Sequence, residues 1–234
     1  MDKIYGINTV KSSLLLGSVR KLYVAKDFKN EEIILEARRQ KLEIILQDTK
    51  QLDNLVRGNH QGIIGLVDDY KTYSLEELIN DSKKVDNPIL VILDELSDPH
   101  NLGAIIRSGD AFSVNGIIYK ERNSVSLNGT VAKVSTGAIN YVKCSEVVNL
   151  TNTIKRLKKE GFWVIGLDGD GKSDLKSAPS NCPLAIVIGS EGYGISRLVK
   201  ENCDLILKIP MSGHVNSLNA SVACSIVLYE LRTR

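Results

Sequence analysis

The chain has 234 residues, of which 43% are hydrophobic and 25% charged, and its 30 basic and 28 acidic side chains leave a formal net charge of +2. This is an ordinary globular composition for one or two domains. So small a basic excess neither indicates nor excludes a nucleic-acid partner, and a binding face for one would have to be a local patch. No apolar run approaches the ~20 residues of a membrane span and the start lacks a signal-peptide core, so we expect a cytoplasmic protein.

Cysteine and histidine spacing argues against metal sites and disulfides. The four cysteines are scattered without a CxxC pair, and the three histidines lie far apart along the chain. A zinc site needs clustered ligands, and a secreted disulfide scaffold needs a denser cysteine pattern. We therefore expect no metal ion.

The first 69 residues predict a small α/β unit. Apolar periodicity and turn residues predict helices at residues 9–16 and 31–40 and strands at residues 21–25, 42–46 and 62–67. Residues 70–87 are charge-rich, contain the short amphipathic piece SLEELI and stop before Pro88. They predict a linker or a crossing helix, with the domain boundary there.

After Pro88 the pattern alternates regularly between strand and helix. We predict strands at residues 89–96, 116–120, 162–168, 184–189 and 205–210, and helices at residues 101–112, 130–139, 151–161, 196–201 and after residue 219. Continuous apolar runs such as ILVIL are typical of strands buried on both faces of a parallel sheet. The region 88–234 is thus predicted to be an α/β domain with a parallel sheet between helices, whose ligands bind beyond the carboxyl ends of the strands.

The first of three polar loops at such strand ends reads DPHNLGAIIR. Asp98 and Pro99 favour a turn, and Asn101 is a good N-cap for the helix that follows. Arg107 lies nearly two turns into that helix. The segment is read either as a capped helix with a surface arginine or as a site where Arg107 faces developing negative charge.

The second loop, in IVIGSEGYGISR, breaks a buried strand with Gly189, Glu191 and Gly194. Glycines permit positive φ and let a ligand approach the backbone. The spacing matches neither a dinucleotide-binding nor a phosphate-binding loop, and Glu191 would repel a pyrophosphate. A turn without function stays open beside a loop that holds an uncharged or cationic ligand.

The third loop displays Ser217 and Asn219 before the last helix. These side chains either cap that helix or take part in chemistry. Met211, read alone, is a packing residue. The helix is apolar on nearly every face, with Val222 and Ile226 among its apolar residues, so it is buried in a core or against a partner subunit.

Taken in order, the three loops match the three motifs of the SpoU family of RNA ribose methyltransferases, within the SPOUT methyltransferases. The matching residues are Asn101 and Arg107 in the first, Gly189, Glu191 and Gly194 in the second, and Ser217 and Asn219 in the third. The N-terminal part, with YGINTVKSSL and HQGIIG, resembles the small ribosomal-protein-like RNA-binding domain of one branch. That branch contains bacterial enzymes that methylate a guanosine ribose in 23S rRNA.

The resemblance implies a C-terminal trefoil knot that binds S-adenosylmethionine, whereas the pattern alone predicts an unknotted sheet. It also implies a homodimer whose active site takes residues from both subunits. The implied cofactor-binding residues are Gly189, Ile209, Leu218, Gly194 and Met211.

The catalytic set implied by the resemblance is Arg107, Asn101, Glu191, Ser217 and Asn219. Glu191 has a positioning role, while Ser217 and Asn219 position the ribose or support Arg107. An arginine has a pKa of at least ~12.5, so its neutral form costs roughly 7 kcal/mol at pH 7. Arg107 as a base and Arg107 as a charged stabiliser of the alkoxide both stay open.

The function expected from this resemblance is methylation of a ribose 2′-hydroxyl in RNA, with a guanosine of 23S rRNA as substrate. The alternatives are a tRNA guanosine 2′-O-methyltransferase, a non-catalytic RNA-binding ribosome-assembly factor on the same scaffold, and a Rossmann-type regulator that the glycine spacing disfavours. The N-terminal basic residues are either an RNA-binding face or a solvated surface; they are Arg20, Lys21, Arg38, Arg39 and Lys41.

Overall fold

The computed structural model describes residues 1–122, 124–215 and 217–233; Arg234, the last residue of the predicted catalytic domain, lies outside them. The chain divides into two compact units. The first contains Met1–Tyr70 and Leu127–Tyr141, and the second contains Lys71–Ser126 and Val142–Arg234.

The elements follow one another in α/β alternation. The first part of the chain forms β1 (Asp2–Tyr5), α1 (Ile7–Leu15), β2 (Val19–Ala25), α2 (Glu31–Arg39), β3 (Glu43–Gln47), α3 (Thr49–Leu55) and β4 (Ile63–Val67). The remainder forms α4 (Leu75–Ser82), β5 (Ile89–Leu93), α5 (Pro99–Ala111), β6 (Gly116–Lys120), α6 (Gly129–Val134), β7 (Cys144–Val147), α7 (Leu150–Lys159), β8 (Trp163–Leu167), β9 (Ser173–Asp174), β10 (Leu184–Ile188), α8 (Arg197–Asn202), β11 (Leu205–Lys208) and α9 (Ala220–Arg232).

The first unit is built on a four-stranded sheet of order β1-β4-β2-β3. Strand β4 pairs antiparallel with β1 and β2, while β2 pairs parallel with β3. Its core includes Leu22, Leu52 and Ile64, all fully buried. The sequence pattern predicts three of these strands and misses β1, whose four residues show no strict alternation of polar and apolar side chains.

The helix predicted at residues 130–139 differs from the observed structure in its length and in the unit to which it belongs. Instead of a helix over residues 130–139, α6 ends at Val134, because Thr136 and Gly137 are left-handed, with φ of 52° and 92°. The segment belongs to the first unit and not to a continuous catalytic domain. Gly129 lies directly against the backbone carbonyl of Lys3, where a Cβ would clash.

The second unit contains a seven-stranded sheet of order β7-β6-β5-β10-β8-β11-β9, in which every pairing is parallel. This confirms the predicted parallel α/β sheet. Every residue of the adjacent strands β5 and β10 is buried, as their continuous apolar runs predict. The trefoil knot stays a prediction.

The amphipathic piece in the predicted linker is helix α4. Its residues Leu78 and Ile79 are fully buried in the core of the second unit, together with Leu90 and Ile154. Helix α4 is thus part of that unit and not a free connection. Within the described ranges, no helix is long and apolar enough to cross a membrane, and no group of His, Cys, Asp and Glu side chains is arranged to hold a metal ion.

Candidate functional site

The three polar loops follow β5, β10 and β11 of the second unit. Strands β5 and β10 are neighbours, and β8 alone separates β10 from β11. Because the strands are parallel, their carboxyl ends meet at one edge of the sheet. Side chains 90 and more residues apart in sequence therefore come into contact there.

Three motif residues form a hydrogen-bonded triangle at this edge. Asn101 donates its Nδ2 proton to Oε1 of Glu191 at 2.7 Å, and Asn219 donates to Oδ1 of Asn101 at 2.8 Å. Asn219 also donates to the same Glu191 oxygen. One carboxylate oxygen thus accepts two amide protons, which orients all three side chains.

The expected N-cap role of Asn101 is wrong. Helix α5 begins earlier, at Pro99, and its N-cap is Asp98, whose carboxylate accepts the backbone N–H of His100 at 2.9 Å. That hydrogen bond lowers the pKa of Asp98 below its ordinary value. Asn101 lies in the first turn, 7% exposed, so its side chain is available for the triangle.

The predicted cap role of Asn219 is confirmed, and the same side chain also joins the triangle. Its Oδ1 accepts the backbone N–H groups of Ser221 and Val222 at 3.0 and 3.3 Å and so caps α9. Its Nδ2 at the same time donates to Asn101 and Glu191. The helix end thus holds the amide in the orientation that the triangle requires.

The glycine loop after β10 is a tight turn. Ser190 and Gly194 exchange two backbone hydrogen bonds of 3.0 Å, and Gly194 has a φ of +65°. Gly189 lies against the backbone of Gly194, and a Cβ on it would clash there. This close packing explains why the loop needs glycine at positions 189 and 194.

A cavity of about 410 Å³, here called the donor cavity, lies beside this turn. All five residues expected to bind the cofactor line it: Gly189, Gly194, Ile209, Met211 and Leu218. Glu191 and Ser217 line it as well. The second and third loops therefore line one concave site, and the first loop is joined to it through the hydrogen bond from Asn101 to Glu191.

The donor cavity also contains acidic residues that the sequence analysis missed. Asp168 and Asp170 line it, and the ammonium of Lys200 lies 3.0 and 3.6 Å from their carboxylates. Although partial burial by itself raises the pKa of Asp168, the Asp170 backbone N–H and Lys200 hold that pKa below its ordinary value. The position of Asp168 in the sequence could have indicated its place in the site, since it directly follows β8, the neighbour of β10.

A second cavity of about 370 Å³, here called the acceptor cavity, adjoins the first. It is lined by Glu95, Leu96, Ser97, Asp98, Asn101, Ser190, Glu191, Gly192 and Tyr193, of which the last four also line the donor cavity. The hydroxyl of Ser190 is buried there without a hydrogen-bond partner among the described residues. Residues 190–193 are thus a wall shared by both cavities.

Arg107 is the one motif residue that the fold does not bring into this cluster. It is exposed on α5 and lines neither cavity. Six residues beyond Asn101, it lies about 240° around the helix from that residue. Within one chain, Arg107 and the triangle therefore occupy different faces of α5.

Comparison with known families assigns both parts of the chain. The model of the SpoU rRNA Methylase family matches residues 88–229, and that of RNA 2'-O ribose methyltransferase substrate binding matches residues 3–73. The chain belongs to the SpoU family of RNA methyltransferases. The family assignment agrees with the three motifs and with the parallel sheet.

Sequence matches to similar proteins cover nearly the whole of this SpoU chain. The putative TrmH family tRNA/rRNA methyltransferase of Staphylococcus haemolyticus is 44% identical over 233 residues, covering 97% of this chain and 94% of that protein. The putative TrmH family tRNA/rRNA methyltransferase YacO of Bacillus subtilis is 43% identical over 237 residues, covering 98% and 94%.

Solved structures share this SpoU fold. The AdoMet-bound rRNA methyltransferase of Sinorhizobium meliloti has a TM-score of 0.84 and 22% identity, covering 99% of this chain and 87% of that one. The SpoU methyltransferase AviRb of Streptomyces viridochromogenes, in complex with AdoMet, has a TM-score of 0.82 and 22% identity, covering 99% and 89%. The A. aeolicus TrmH/SpoU tRNA modifying enzyme covers 68% of this chain and 81% of its own, with a TM-score of 0.59 and 28% identity.

Proposed function

We propose that the protein is a cytoplasmic homodimeric enzyme that methylates the ribose 2′-hydroxyl of a guanosine in 23S rRNA, with S-adenosylmethionine as methyl donor. The observation that carries the proposal is the donor cavity, which the second and third motif loops line and which opens beside the Asn101–Glu191–Asn219 triangle that joins these loops to the first. A capped turn without function would not account for this convergence.

The donor cavity suits a cationic nucleoside such as S-adenosylmethionine. Gly189 and Gly194 line it with backbone and no side chain, and the buried hydroxyl of Ser190 lacks a hydrogen-bond partner among the described residues. The carboxylates of Asp168, Asp170 and Glu191 would favour positive charge. In this proposal Gly189, Ile209 and Leu218 hold the cofactor, with Gly194 and Met211 beside them.

A bound S-adenosylmethionine would supply a methyl group on a cationic sulfur, and a neutral thioether would leave when the methyl passes to a ribose 2′-oxygen whose proton goes to water or an RNA phosphate. The protein's own part is to orient that oxygen and to stabilise the negative charge that develops on it. The triangle holds Glu191 in one orientation, and Ser217 places a hydroxyl in the cavity. Asn101 and Asn219 act in this scheme as positioning residues.

Arg107 would act from a second copy of the chain. It remains charged and stabilises the developing alkoxide, since neutral arginine costs roughly 7 kcal/mol at pH 7. Helix α9 leaves three apolar side chains exposed, Val222, Ile226 and Tyr229, which lie on one stripe of the helix. Ser108, next to Arg107, hydrogen bonds to Ser225 in α9 at 2.7 Å. Dimerisation through this stripe would bury it and bring Arg107 into the interface region.

The first unit is proposed to bind the RNA, with residues 1–69 as its main part, and residues 88–234 are proposed to form the catalytic region, apart from the segment around α6 that belongs to the first unit. The expected linker, residues 70–87, adds α4 to the catalytic region. The substrate-binding family model at residues 3–73 supports this division. Three of the basic residues are ion-paired, Arg20 with Asp68, Lys21 with Glu43 and Arg39 with Glu36. The exposed side chains of Arg38 and Lys41 lie outside these three pairs and are the best candidates for phosphate contacts.

Domain coverage favours rRNA over tRNA. The S. meliloti rRNA methyltransferase covers 99% of this chain, whereas the A. aeolicus tRNA modifying enzyme covers 68% of it. The tRNA enzyme thus matches a smaller part of this chain than the rRNA enzyme does.

The test is incubation of the purified protein with labelled S-adenosylmethionine and, separately, undermodified 23S rRNA and tRNA, followed by mapping of the labelled nucleotide. We expect label on a guanosine ribose of the rRNA and none on tRNA. Label on tRNA alone would show that the substrate is tRNA and would contradict the proposed rRNA substrate. Label on a base, or no transfer to either RNA by protein that binds the cofactor, would refute ribose methylation.

A further inference from the structure

The acceptor cavity has an acidic wall whose three carboxylates are held to different degrees. Asp98 uses Oδ1 to cap α5, and Oε1 of Glu191 accepts two amide protons in the triangle. Glu95 is held less firmly, because its half-exposed side chain takes part in a long ion pair, with Lys120 at 3.4 Å, and in neither the helix cap nor the triangle. Its carboxylate can therefore turn toward a ligand in the cavity.

The same cavity has an exposed aromatic wall. Tyr193 is 93% exposed, which is unusual for so large an apolar ring, and it lies in the wall shared with the donor cavity. An exposed tyrosine beside a polar pocket is a stacking platform for an unpaired base of RNA. Asn101 of the triangle lines the cavity too, so a nucleotide held there would lie next to the proposed reaction site.

The acidic wall also determines which part of a nucleotide can enter. Three carboxylates, from Glu95, Asp98 and Glu191, line the cavity and repel a phosphate. They favour a base that presents N–H donors. Guanine presents two adjacent donors, N1–H and the N2 amino group, which a single carboxylate can accept together.

We propose that the acceptor cavity binds the base of the target nucleotide, that Glu95 selects guanine through its N1–H and N2 amino group, and that Tyr193 stacks on the base. The proposal rests on the proposed ribose methylation and adds the residues that determine its base specificity. Neither residue is among the matched motif residues, although Tyr193 lies in the second loop. Catalysis and base selection are thus carried by different side chains.

The test compares an RNA fragment carrying the mapped target guanosine with the same fragment carrying inosine, which lacks the N2 amino group. We expect the wild-type enzyme to prefer guanosine by about 10- to 100-fold in kcat/KM, as loss of a hydrogen bond to a charged group implies. Glu95→Gln should bring the guanosine-to-inosine ratio close to one, because an amide places a donor opposite the guanine amino group. Tyr193→Ala should lower kcat/KM for both RNAs about equally, and Tyr193→Phe should restore it.

Glu76→Gln is the matched control, since Glu76 is likewise an exposed carboxylate paired with a cation, Arg156 at 3.1 Å, and does not line the cavity. The Glu76→Gln variant should leave the guanosine-to-inosine ratio of kcat/KM unchanged. Calorimetric titration with S-adenosylmethionine shows that each variant is folded and binds the donor. A Glu95→Gln enzyme that keeps the wild-type ratio would overturn the proposal while ribose methylation stands. A wild-type enzyme whose target nucleotide carries a base other than guanine would also overturn it. If the enzyme methylates no ribose in any RNA, the proposed function itself is refuted.

Discussion

At the scale of single residues, the site depends on amide side chains that act as donor and acceptor at once. Asn219 caps α9 with its oxygen and bonds to Asn101 and Glu191 with its nitrogen. Neither serine nor aspartate could do both, because a hydroxyl is too short to span these partners and a carboxylate has no proton to donate. The capping of α9 and the geometry of the triangle are therefore coupled through one side chain.

This coupling predicts the effect of Asn219→Ala. The variant loses a helix cap, worth about 1 kcal/mol of stability, and also the hydrogen bonds to Asn101 and Glu191. We expect kcat/KM for RNA to fall by about 10- to 100-fold, because the triangle loses its orientation. Urea denaturation and methyl-transfer kinetics measure the two effects.

Asn149→Ala is the control, because Asn149 caps α7 in the same way, accepting the backbone N–H of Asn152 at 2.9 Å. It should lose about 1 kcal/mol of stability and keep its methyl-transfer rate. Equal activity losses in the two variants would show that the Asn219 effect is only structural.

At the scale of elements, the turn after β10 shows how backbone packing forms the donor cavity. Gly189 and Gly194 lie too close for a side chain on Gly189, whereas a Cβ on Gly192 would have no neighbour within 4 Å. Two glycines three residues apart in the same turn thus have opposite tolerance for substitution.

We predict that Gly189→Ala lowers stability by about 1–3 kcal/mol, because the added methyl forces the turn apart. Cofactor affinity should fall with it, since the displaced residues line the donor cavity. Gly192→Ala should change both quantities little. Thermal unfolding and calorimetric titration with S-adenosylmethionine test this, and a Gly189→Ala protein that binds the cofactor normally would contradict it.

The exposed apolar stripe of helix α9 gives a second prediction, which concerns the dimer. Ile226→Lys places a charge in the exposed stripe that is proposed to form the dimer interface. We expect dissociation to monomers in sedimentation experiments, with loss of methyl transfer because Arg107 of the second copy is removed. Leu35→Lys, on the exposed face of α2, is the control and should leave the oligomeric state unchanged. A monomeric wild-type protein, or an active Ile226→Lys monomer, would refute the shared site.

At the scale of the whole molecule, surface ion pairs make stability depend on pH. Lys143 and Lys84 lower the pKa of Asp81 to about 2, and the Ser74 backbone N–H and Lys83 lower the pKa values of Glu77 and Glu160. A folded-state pKa below the unfolded value stabilises the protein above the unfolded pKa, which is ~4 for these groups. That stabilisation is lost as the pH falls toward 2.

We therefore predict that the free energy of unfolding decreases steadily from pH 5 to pH 2. Asp81→Asn should be less stable than wild type at pH 7 but depend less on pH below 5. Asp86→Asn, an exposed change outside the Lys143 ion pair, should leave the slope unchanged. Urea titrations across this range measure the slopes, and identical slopes for wild type and Asp81→Asn would contradict the assignment.

The sequence by itself determined the alternation of strands and helices, the parallel sheet and the polar loops at the carboxyl ends of its strands. These follow from short-range signals: continuous apolar runs for β5 and β10, and polar or glycine residues directly after them. Even the five residues expected to bind the cofactor line one cavity, because parallel strands end at one edge and bring their loops together.

Only the tertiary structure decided which of these residues touch. Asn101 reads as a helix cap from its neighbours alone, but its partner Glu191 is 90 residues away, and no local pattern reports such a contact. The same holds for Gly129, whose packing against Lys3 places its segment in the first unit, and for Glu95 and Tyr193, which line the same cavity although they are distant in sequence. The periodicity of apolar residues indicates which face of a helix or strand is buried. Which side chains come into contact depends instead on the register and order of strands that are far apart in sequence.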